Sequence, residues 1–389
     1  MNATVEKNIT AYTIEHTNGV NKANGWHFIA SPVNESDFTP GNVDNMLCND
    51  YDLYRLNPST ITWENYKNSE HSDFTSLVNG QGYLYANSND VTLSFTGTIK
   101  PYDATYTVGG TGWNLVGNPY TFNAYVNQSH YTLNDTRDAI VAATSNSAEI
   151  APCTGVVVEG NATFHKETVS QSNNNGYIQL AVAQQAVNRG TATTIDNAIV
   201  SFNEGNELDK FYFGTPNANI YIPQNGKDYA IVNVGRDGVY TVSTKDVNFK
   251  ANENGQYTIT ISPENVEMGY LHLIDNMTGV DVNLLQTPEY TFSAKTMDSE
   301  SRFKLVFVAC NNEDGASSDL ETFAFFSNGN WIIANEGQAT LQVIDLTGRI
   351  LSSETVNGCV SKSINVASGI YLFRLVNGND AKVQKVVVR

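Results

Sequence analysis

The chain has 389 residues, of which 41% are hydrophobic and 16% are charged, below the roughly 25% of an average globular protein. Its length predicts about three domains. The net charge of −18 argues against partners that are themselves negatively charged, so we expect binding neither to nucleic acid nor to anionic membrane surfaces.

Apolar and polar residues alternate along most of the chain, which is the pattern of strands with one buried face. Clear examples are residues 51–56, 91–95, 256–261 and 302–307. Turn-forming Asn-Gly pairs separate such segments, for example at residues 79–80, 225–226 and 377–378. The sequence therefore predicts an all-β fold of tandem β-sandwich domains, immunoglobulin-like or jelly-roll-like in type.

A repeat lies in the first part of the chain. Residues 25–32 (GWHFIASP) match residues 112–119 (GWNLVGNP). Each copy is followed by a glycine-led strand and a short alternating segment, at residues 82–85 and 92–95 in the first copy and at residues 155–158 and 162–164 in the second. We interpret this as a duplicated strand unit in which Trp fills the core, Pro ends the strand, and both halves share one core.

Changes in composition divide the chain. Residues 170–176 are rich in Gln, Ser and Asn, and residues 311–319 are polar. We therefore predict a β-rich domain with the repeat over residues 1–170, a second β-sandwich over 171–310, a linker at 311–319, and a small C-terminal β-sandwich over 320–389.

The four cysteines, Cys48, Cys153, Cys310 and Cys359, form no C-x-x-C pair, so their spacing excludes a zinc ribbon or a redox motif. Two disulfides are compatible with an exported protein. Cys48 and Cys153 are the first pair to test because they fall in one predicted domain, and free buried thiols are an equally good alternative.

Motifs of the common catalytic sites are absent from the sequence: there is no G-x-S-x-G, no H-E-x-x-H and no P-loop. The six histidines are scattered singly, and a lone histidine on a strand is usually a packing or surface residue. We therefore expect no catalytic residues, no metal site, no cofactor and no enzyme activity.

Four aromatic residues, Trp63, Tyr66, Tyr83 and Tyr85, lie close together in sequence on predicted strands. Aromatic rings on a sheet surface can stack on sugars, so these residues are a candidate ligand-binding platform. The alternative is that they fill the core or form cross-strand pairs, as Trp and Tyr usually do in a sandwich.

The last part of the chain has three ordered motifs. Residues 341–350 (LQVIDLTGRI) are followed by residues 369–375 (GIYLFRL) and by the terminal segment 382–389 (KVQKVVVR). In this order and position they resemble the type A C-terminal sorting domain of type IX secretion cargo proteins. The residues of this chain that match the signal are Asp345, Gly348, Arg349, Gly369, Ile370, Tyr371, Arg374, Lys382, Lys385, Val386, Val387 and Arg389.

Local chemistry makes specific predictions for these motifs. Asp345 and Gly348 fit a hairpin turn in which Asp bonds the backbone and Gly takes a positive φ. Residues 369–375 alternate between two largely apolar faces, which predicts a strand that is mostly covered. The terminal segment predicts an edge strand protected by lysines. From Arg349 onward six basic residues face two acidic ones, as expected for a tail that a separate partner recognises.

The resemblance implies export to the bacterial cell surface. Its implied partners are the type IX translocon and a surface cysteine protease that removes the sorting domain, with the polar residues 311–319 as the cleavage zone, and the cargo is joined to surface lipopolysaccharide or released. Residues 1–20 lack the features of a signal peptide, so we expect a trimmed chain or a missing N-terminal part.

The function predicted from these observations is a secreted, non-catalytic adhesin or stalk that binds a glycan or a host protein. Segments 219–231, 269–279 and 290–306 are similar to the β-sandwich regions that often precede such sorting domains. Two alternatives stay open: the C-terminal accessory region of a secreted hydrolase whose catalytic domain lies upstream, and a carbohydrate-binding module in the repeat domain.

Overall fold

The computed structural model describes residues 1–17, 20–100, 105–166, 176–184, 193–203, 205, 207–214, 216–234, 242–310, 323–327, 330–335, 337–378 and 380–388. Within these ranges the regular structure is β-strand apart from two 3-10 turns, at Pro40–Asn42 and Ser69–His71. The predicted all-β fold is confirmed. No helix in the described part of the chain is long and apolar enough to cross a membrane.

The strands of the first 166 residues are β1 (Asn2–Ile9), β2 (Thr13–Thr17), β3 (Val20–Asn24), β4 (His27–Ala30), β5 (Val43–Asp44), β6 (Tyr51–Asn57), β7 (Thr62–Asn65), β8 (Gly82–Asn87), β9 (Val91–Thr98), β10 (Thr105–Gly117), β11 (Tyr125–Val126), β12 (His130–Leu133), β13 (Ile140–Ala143) and β14 (Gly155–His165). The strands of the middle region are β15 (Tyr177–Gln184), β16 (Thr194–Ser201), β17 (Leu208–Asp209), β18 (Ala218–Gln224), β19 (Lys227–Asn233), β20 (Ser243–Ala251), β21 (Gly255–Glu264), β22 (Glu267–Asp275), β23 (Val280–Asn283), β24 (Glu289–Ala294) and β25 (Phe303–Cys310). The C-terminal strands are β26 (Ala324–Ser327), β27 (Asn330–Ile333), β28 (Gln338–Asp345), β29 (Ile350–Asn357), β30 (Val360–Lys362), β31 (Gly369–Asn377) and β32 (Asp380–Val388).

The sequence repeat corresponds to a structural duplication. A four-stranded sheet has the order β4-β8-β6-β7, and a five-stranded sheet has the matching order β10-β14-β12-β13, with β11 also paired to β14. The register is the same in both: His27 pairs with Tyr85, and the equivalent Asn114 pairs with Val158. Each tryptophan packs against the tyrosine of the third strand, with ring centroids 6.0 Å apart for Trp26–Tyr54 and 6.0 Å apart for Trp113–Tyr131.

The duplication extends to a smaller sheet in each copy. In the first copy β1 and β5 flank β9, and Val43 pairs with Phe95. In the second copy the outer halves of β10 and β14 continue with β11, and Val126 pairs with Phe164. Two long strands of the second copy, β10 and β14, therefore take the places of four shorter strands of the first copy, β1, β4, β8 and β9.

The two copies cross where their side chains are smallest. Ala30 N donates to Cys153 O at 3.1 Å, and the equivalent Gly117 N donates to Gly80 O at 2.9 Å. A Cβ atom on Gly117 would lie 2.3 Å from the Ala30 Cβ, so only glycine fits at that position. The paired contacts relate the copies by an approximate two-fold rotation.

Each copy has a buried cluster of its own, and a third cluster is shared by both copies, so the expected shared core exists beside two separate ones. Ile29, Tyr83 and Phe95 are buried in the first copy, and the equivalent Val116, Val156 and Phe164 are buried in the second. The opposite faces of the same strands form a third cluster, with Phe28, Leu84, Leu115 and Val157, and this cluster continues into the middle region. Because successive side chains point to opposite faces of a strand, one face of each strand contributes to the copy's own cluster and the other face contributes to the third cluster.

The middle region is a sandwich around one large core. Its sheet has the order β23-β22-β25-β20-β18-β19-β16-β15-β21-β24, with β17 beside β19, and it folds around buried side chains from β15 to β25. Most pairs are antiparallel, but β16 and β19 run parallel. The polar segment at residues 170–176 and the predicted linker at 311–319 lie outside the described residues, except for Gly176.

Cys48 and Cys153 are free thiols. Cys153 is fully buried in the first core, while Cys48 and Cys359 are partly exposed. The candidate pair Cys48–Cys153 is therefore not bonded. The Cys48 thiol instead donates to Asn45 O at 2.9 Å.

Candidate functional site

The C-terminal region is a small sandwich of two sheets, one with the order β26-β27-β30 and one with the order β29-β28-β31-β32. The side chains between them include Phe323, Trp331, Leu341 and Phe373, all nearly or fully buried. The Trp331 and Phe373 rings meet edge to face with centroids 4.7 Å apart. These residues give the unit a core of its own.

The predicted hairpin turn between β28 and β29 is present. Asp345 Oδ1 accepts from Thr347 N at 2.9 Å and from Arg349 N at 3.0 Å, and Arg349 Nε donates to Asp345 Oδ2 at 3.1 Å. Gly348 has φ +86°, the left-handed conformation that glycine adopts without strain. Hydrogen bonds from Thr347 and Arg349 hold the pKa of Asp345 below its usual value, so the turn favours the ionised carboxylate.

Strand β31 divides its side chains between two faces as the sequence predicts. Tyr371, Phe373 and Leu375 are buried, and the Tyr371 hydroxyl donates to Ala367 O at 2.7 Å. The opposite face is not covered, which corrects the expectation of a mostly covered strand. Ile370 is 38% exposed and Arg374 is exposed, because nothing in the described structure packs against the outer surface of this sheet.

The terminal strand β32 pairs along its whole length with β31 and leaves its other edge open. Val386 is buried opposite Tyr371, whereas Val387 is 57% exposed opposite Ile370. Lys385 is exposed on the same outer face as Val387. The outer surface of the sheet therefore combines apolar side chains with basic ones, which suits recognition by a partner.

Other matched signal residues have definite positions. Gly369 begins β31 and pairs with Val388, and Lys382 lies half-buried on β32 opposite Leu375. Arg389 lies outside the described residues. The assignment of these residues to the sorting signal stays a prediction.

Gln384 is a residue that the sequence reasoning missed. Its side chain projects from β32 to the backbone of the opposite sheet, where Oε1 accepts from Phe323 N at 2.8 Å and from Ala324 N at 2.7 Å, and Nε2 donates to Ala324 O at 2.7 Å. The sequence signal for it is a polar residue at an inward-facing position of a valine-rich strand, which indicates a buried hydrogen-bond partner. It ties the first strand of the unit to the last.

The C-terminal sandwich also packs against the middle region. Tyr270, Val306 and Val308, on the outer face of β22 and β25, form one buried cluster with Ile332 and Ala334 near the end of β27. Beside it His272 Nδ1 lies 2.6 Å from Asp281 Oδ1, and the His272 ring stacks on Tyr270 with centroids 4.1 Å apart. The last unit is therefore in direct contact with its neighbour through apolar side chains.

The predicted aromatic platform is not formed. Tyr83 and Tyr85 are fully buried, with their hydroxyls bonded to Ser76 O and Met46 O at 3.3 and 2.7 Å, so they cannot stack on a ligand. Trp63 is half-buried edge-on to Phe213, with centroids 5.8 Å apart. Tyr66 alone lines a shallow groove of about 410 Å³. For Tyr83 and Tyr85 the ligand-binding interpretation was wrong, and packing is the reason.

Comparison with known proteins identifies residues 327–389 as a secretion system C-terminal sorting domain. The chain is also similar to the minor fimbrium subunit Mfa5 of Porphyromonas gingivalis, at 24% identity over 437 aligned residues. That alignment covers 93% of this chain and 35% of the relative, so the chain spans about a third of the relative's length.

A solved structure, the BSP domain of a biofilm associated protein, aligns with 93% of this chain and 95% of its own length at 9% identity. Its TM-score of 0.17 is too low to bear on the fold. The matched family, the order of the three motifs and the β-sandwich structure of these residues all indicate the same kind of domain. Residues 327–389 are thus a type IX sorting domain, and the chain that carries them is a type IX secretion cargo protein exported to the cell surface.

Proposed function

We propose that this chain is a non-catalytic structural protein of the bacterial surface, with an adhesin-like or stalk-like role. The observation that carries the proposal is that buried clusters join all three regions. The cluster around Phe28 and Leu115 includes Ile199, Phe211 and Ile231 of the middle region, and a second cluster joins the middle region to the sorting unit. Continuous packing of this kind suits a protein that must transmit force between its ends.

Polar side chains at the first of these interfaces support the same role, because they are used to bind the two regions together. Asn197 Nδ2 donates to Ala142 O at 2.9 Å, and its Oδ1 accepts from Ala142 N at 2.7 Å. The Tyr131 hydroxyl donates to Asp209 O at 2.8 Å and accepts from Phe211 N at 3.0 Å. Such groups fix how the two regions meet.

The named relative supports a structural role as well, since it is a fimbrium subunit. We propose that a glycan or a host protein is the ligand, that a surface cysteine protease removes the sorting domain, and that surface lipopolysaccharide anchors the cargo. The alternative is an accessory region of a secreted hydrolase whose catalytic domain lies upstream. Whether the gene encodes a catalytic domain upstream of Met1 separates these two functions.

Two engineered forms of the protein, expressed in a type IX host, test the proposal. Deleting residues 320–389 is expected to leave the protein in the periplasm, and unchanged surface display would count against the sorting assignment. Replacing residues 1–310 with a fluorescent carrier is expected to keep surface display and to abolish attachment to host cells. Attachment that survives this replacement would contradict the adhesin role.

A further inference from the structure

A group of basic side chains lies where the two copies of the repeat meet. Lys7, on β1, donates from Nζ to Thr154 Oγ1 at 2.7 Å, which brings it from the first copy to a loop of the second. His27, on β4, has its Nε2 3.3 Å from Thr10 N. The backbone of Arg137 accepts a hydrogen bond from Trp26 N at 3.1 Å, which places Arg137 beside His27.

This basic cluster, Lys7, His27 and Arg137, has no carboxylate partner among the described residues. Arg137 makes no side-chain hydrogen bond or ion pair there, and its Nε is buried without a partner. The chain has 40 acidic residues and 22 basic ones, so a basic group without a counter-charge is unexpected. Burying a positive charge that is neither paired nor hydrated is costly.

The three side chains are close enough to affect one another. Burial lowers the pKa of His27 to about 4, and the charges of Arg137 and Lys7 contribute to that shift. Burial also lowers the pKa of Lys7, and the Arg137 charge lowers it further. His27 is therefore neutral at pH 7, and it adds a hydrogen-bonding group beside two cations.

The second copy provides an internal comparison. The strand register makes Val108 the equivalent of Lys7 and Asn114 the equivalent of His27. Asn57 at the end of β6 is the equivalent of Asn134 after β12. Thr60 and Arg137 each lie three residues after that Asn, so they are equivalent. All three equivalents are uncharged, so the fold itself does not require the basic cluster.

The equivalent positions are also in contact in the second copy. A Cβ atom on Gly80, which corresponds to Cys153, would lie 2.4 Å from Val108 Cγ1. The same arrangement in the first copy places the Lys7 side chain against Cys153, which is fully buried. Lys7 and Arg137 themselves are only half-buried, so the cluster opens to solvent on one side.

We propose that Lys7, His27 and Arg137 form a binding site for a tetrahedral oxyanion, either sulfate or phosphate. The Arg137 guanidinium, which has no partner among the described residues, and the Lys7 ammonium, which gives one of its three N–H groups to Thr154 Oγ1, offer several charged donors. Oxyanions accept such bonds more strongly than neutral groups do. The site goes beyond the adhesin role and does not depend on it.

Titration calorimetry of the full chain with sodium sulfate, at constant ionic strength and pH 7, tests the site. One saturable site is expected, with an affinity that falls by about tenfold or more in Lys7→Val and in Arg137→Asn. Valine is the residue at the equivalent position, and asparagine tolerates the φ of +57° at position 137. The matched controls are Lys295→Met and Arg374→Asn, which remove exposed charges far along the chain.

Thermal denaturation checks that each variant folds and gives a second measure of binding. Sulfate is expected to raise the melting temperature of the wild type and both controls, and to raise it less in the two cluster variants. Glucose 6-sulfate is the second probe: if it competes with sulfate, a sugar ester is the natural ligand, and if it does not, the ligand is the free anion. Absence of saturable sulfate and phosphate binding, or equal binding by the cluster variants, overturns the proposal.

Discussion

The ammonium group of Lys210 lies 2.6 Å from a carboxylate oxygen of Asp196, and their side chains are only 3% and 5% exposed. The same carboxylate accepts hydrogen bonds from Ile220 N at 2.8 Å and from Asn197 N at 2.9 Å. Asn197 in turn bonds the backbone of the first region. The ion pair therefore supports β16, the strand of the middle sandwich whose Asn197 bonds the repeat region.

Replacing Lys210 by Met is expected to lower the free energy of unfolding by about 3–5 kcal/mol, because it leaves a buried carboxylate unpaired. Burial raises the pKa of Asp196 even with Lys210 present, so the unpaired carboxyl should take up a proton readily and the loss should be smaller at pH 4 than at pH 7. Urea denaturation at the two pH values measures both effects.

Lys227→Met is the control for that experiment. Lys227 pairs with Asp209 at 2.9 Å but is 61% exposed, so its removal should change stability little. If both substitutions lower the free energy of unfolding equally, burial of the Lys210–Asp196 pair adds nothing to its effect on stability.

Acid sensitivity is expected from His27. Its pKa is lowered to about 4, below the value of about 6.5 in an unfolded chain, so the unfolded state binds more protons between these values. Stability contributed by neutral His27 is full above pH 6.5 and is lost as the pH falls toward 4. At pH 4.5 the loss should be on the order of 2–3 kcal/mol, measured by urea denaturation.

The variant His27→Asn, which carries the residue of the second copy, should remove most of this acid sensitivity. Lys7 and Arg137 are the charged groups that face His27, so both stay unchanged in the comparison. His71→Asn, at a partly exposed surface turn, is the matched control. A wild type and a His27→Asn variant with the same pH dependence would contradict this account.

The close approach of the two copies depends on glycine, which has no side chain, at position 117. Gly117→Ala should lower the free energy of unfolding by about 2–3 kcal/mol, since the new Cβ would overlap the Ala30 Cβ and the Gln81 backbone. Gly110→Ala, on the same strand, is the control, because its Cβ would meet only Asn114 Oδ1 at 3.8 Å. Chemical denaturation of both variants measures the difference, and equal stabilities would exclude a close crossing.

Gln384→Ala should separate the first strand of the sorting unit from the last. Two backbone N–H groups lose their acceptor, which should cost about 2–3 kcal/mol and reduce surface display in a type IX host. Gln384→Glu keeps an acceptor and should be intermediate. Gln342→Ala is the control, because within the described residues its side chain hydrogen-bonds to the exposed Arg374 alone, at 3.5 Å. If Gln384→Ala lowers stability but leaves surface display normal, display does not depend on this link between the strands.

Asp345→Ala should lower the melting temperature of the sorting unit because the turn loses its acceptor for Thr347 and Arg349. The pKa of Asp345 is lowered in the folded state, so its contribution is full at neutral pH and is lost as the pH falls below about 3.8. The difference between wild type and variant should therefore shrink in acid. Asp380→Ala, exposed at the start of β32, is the control, and a difference that persists at pH 2.5 would argue against the turn.

Several features could be predicted from the sequence because they depend on neighbours along the chain. Alternation gave the strands, and the positions of Asp345 and Gly348 gave the hairpin turn, since both follow from local backbone geometry. The repeat can be read from the sequence in β4 and β8 and in their equivalents in β10 and β14. Its third strand cannot, because the Y-x-L-N segments that begin at Tyr54 and Tyr131 are only four residues long, which is weak evidence in a chain rich in Tyr and Asn.

Other features were decided only by tertiary contacts. Alternation cannot tell which face of a strand meets another sheet, so Tyr83 and Tyr85 had two open interpretations and β31 was expected to be covered on both sides. The meeting of Lys7, His27 and Arg137 depends on how two distant copies cross. The sequence by itself determined the strands, the turns and the sorting motif, which are local properties, whereas burial, crossing and charge clustering required the folded chain because they join residues far apart in sequence.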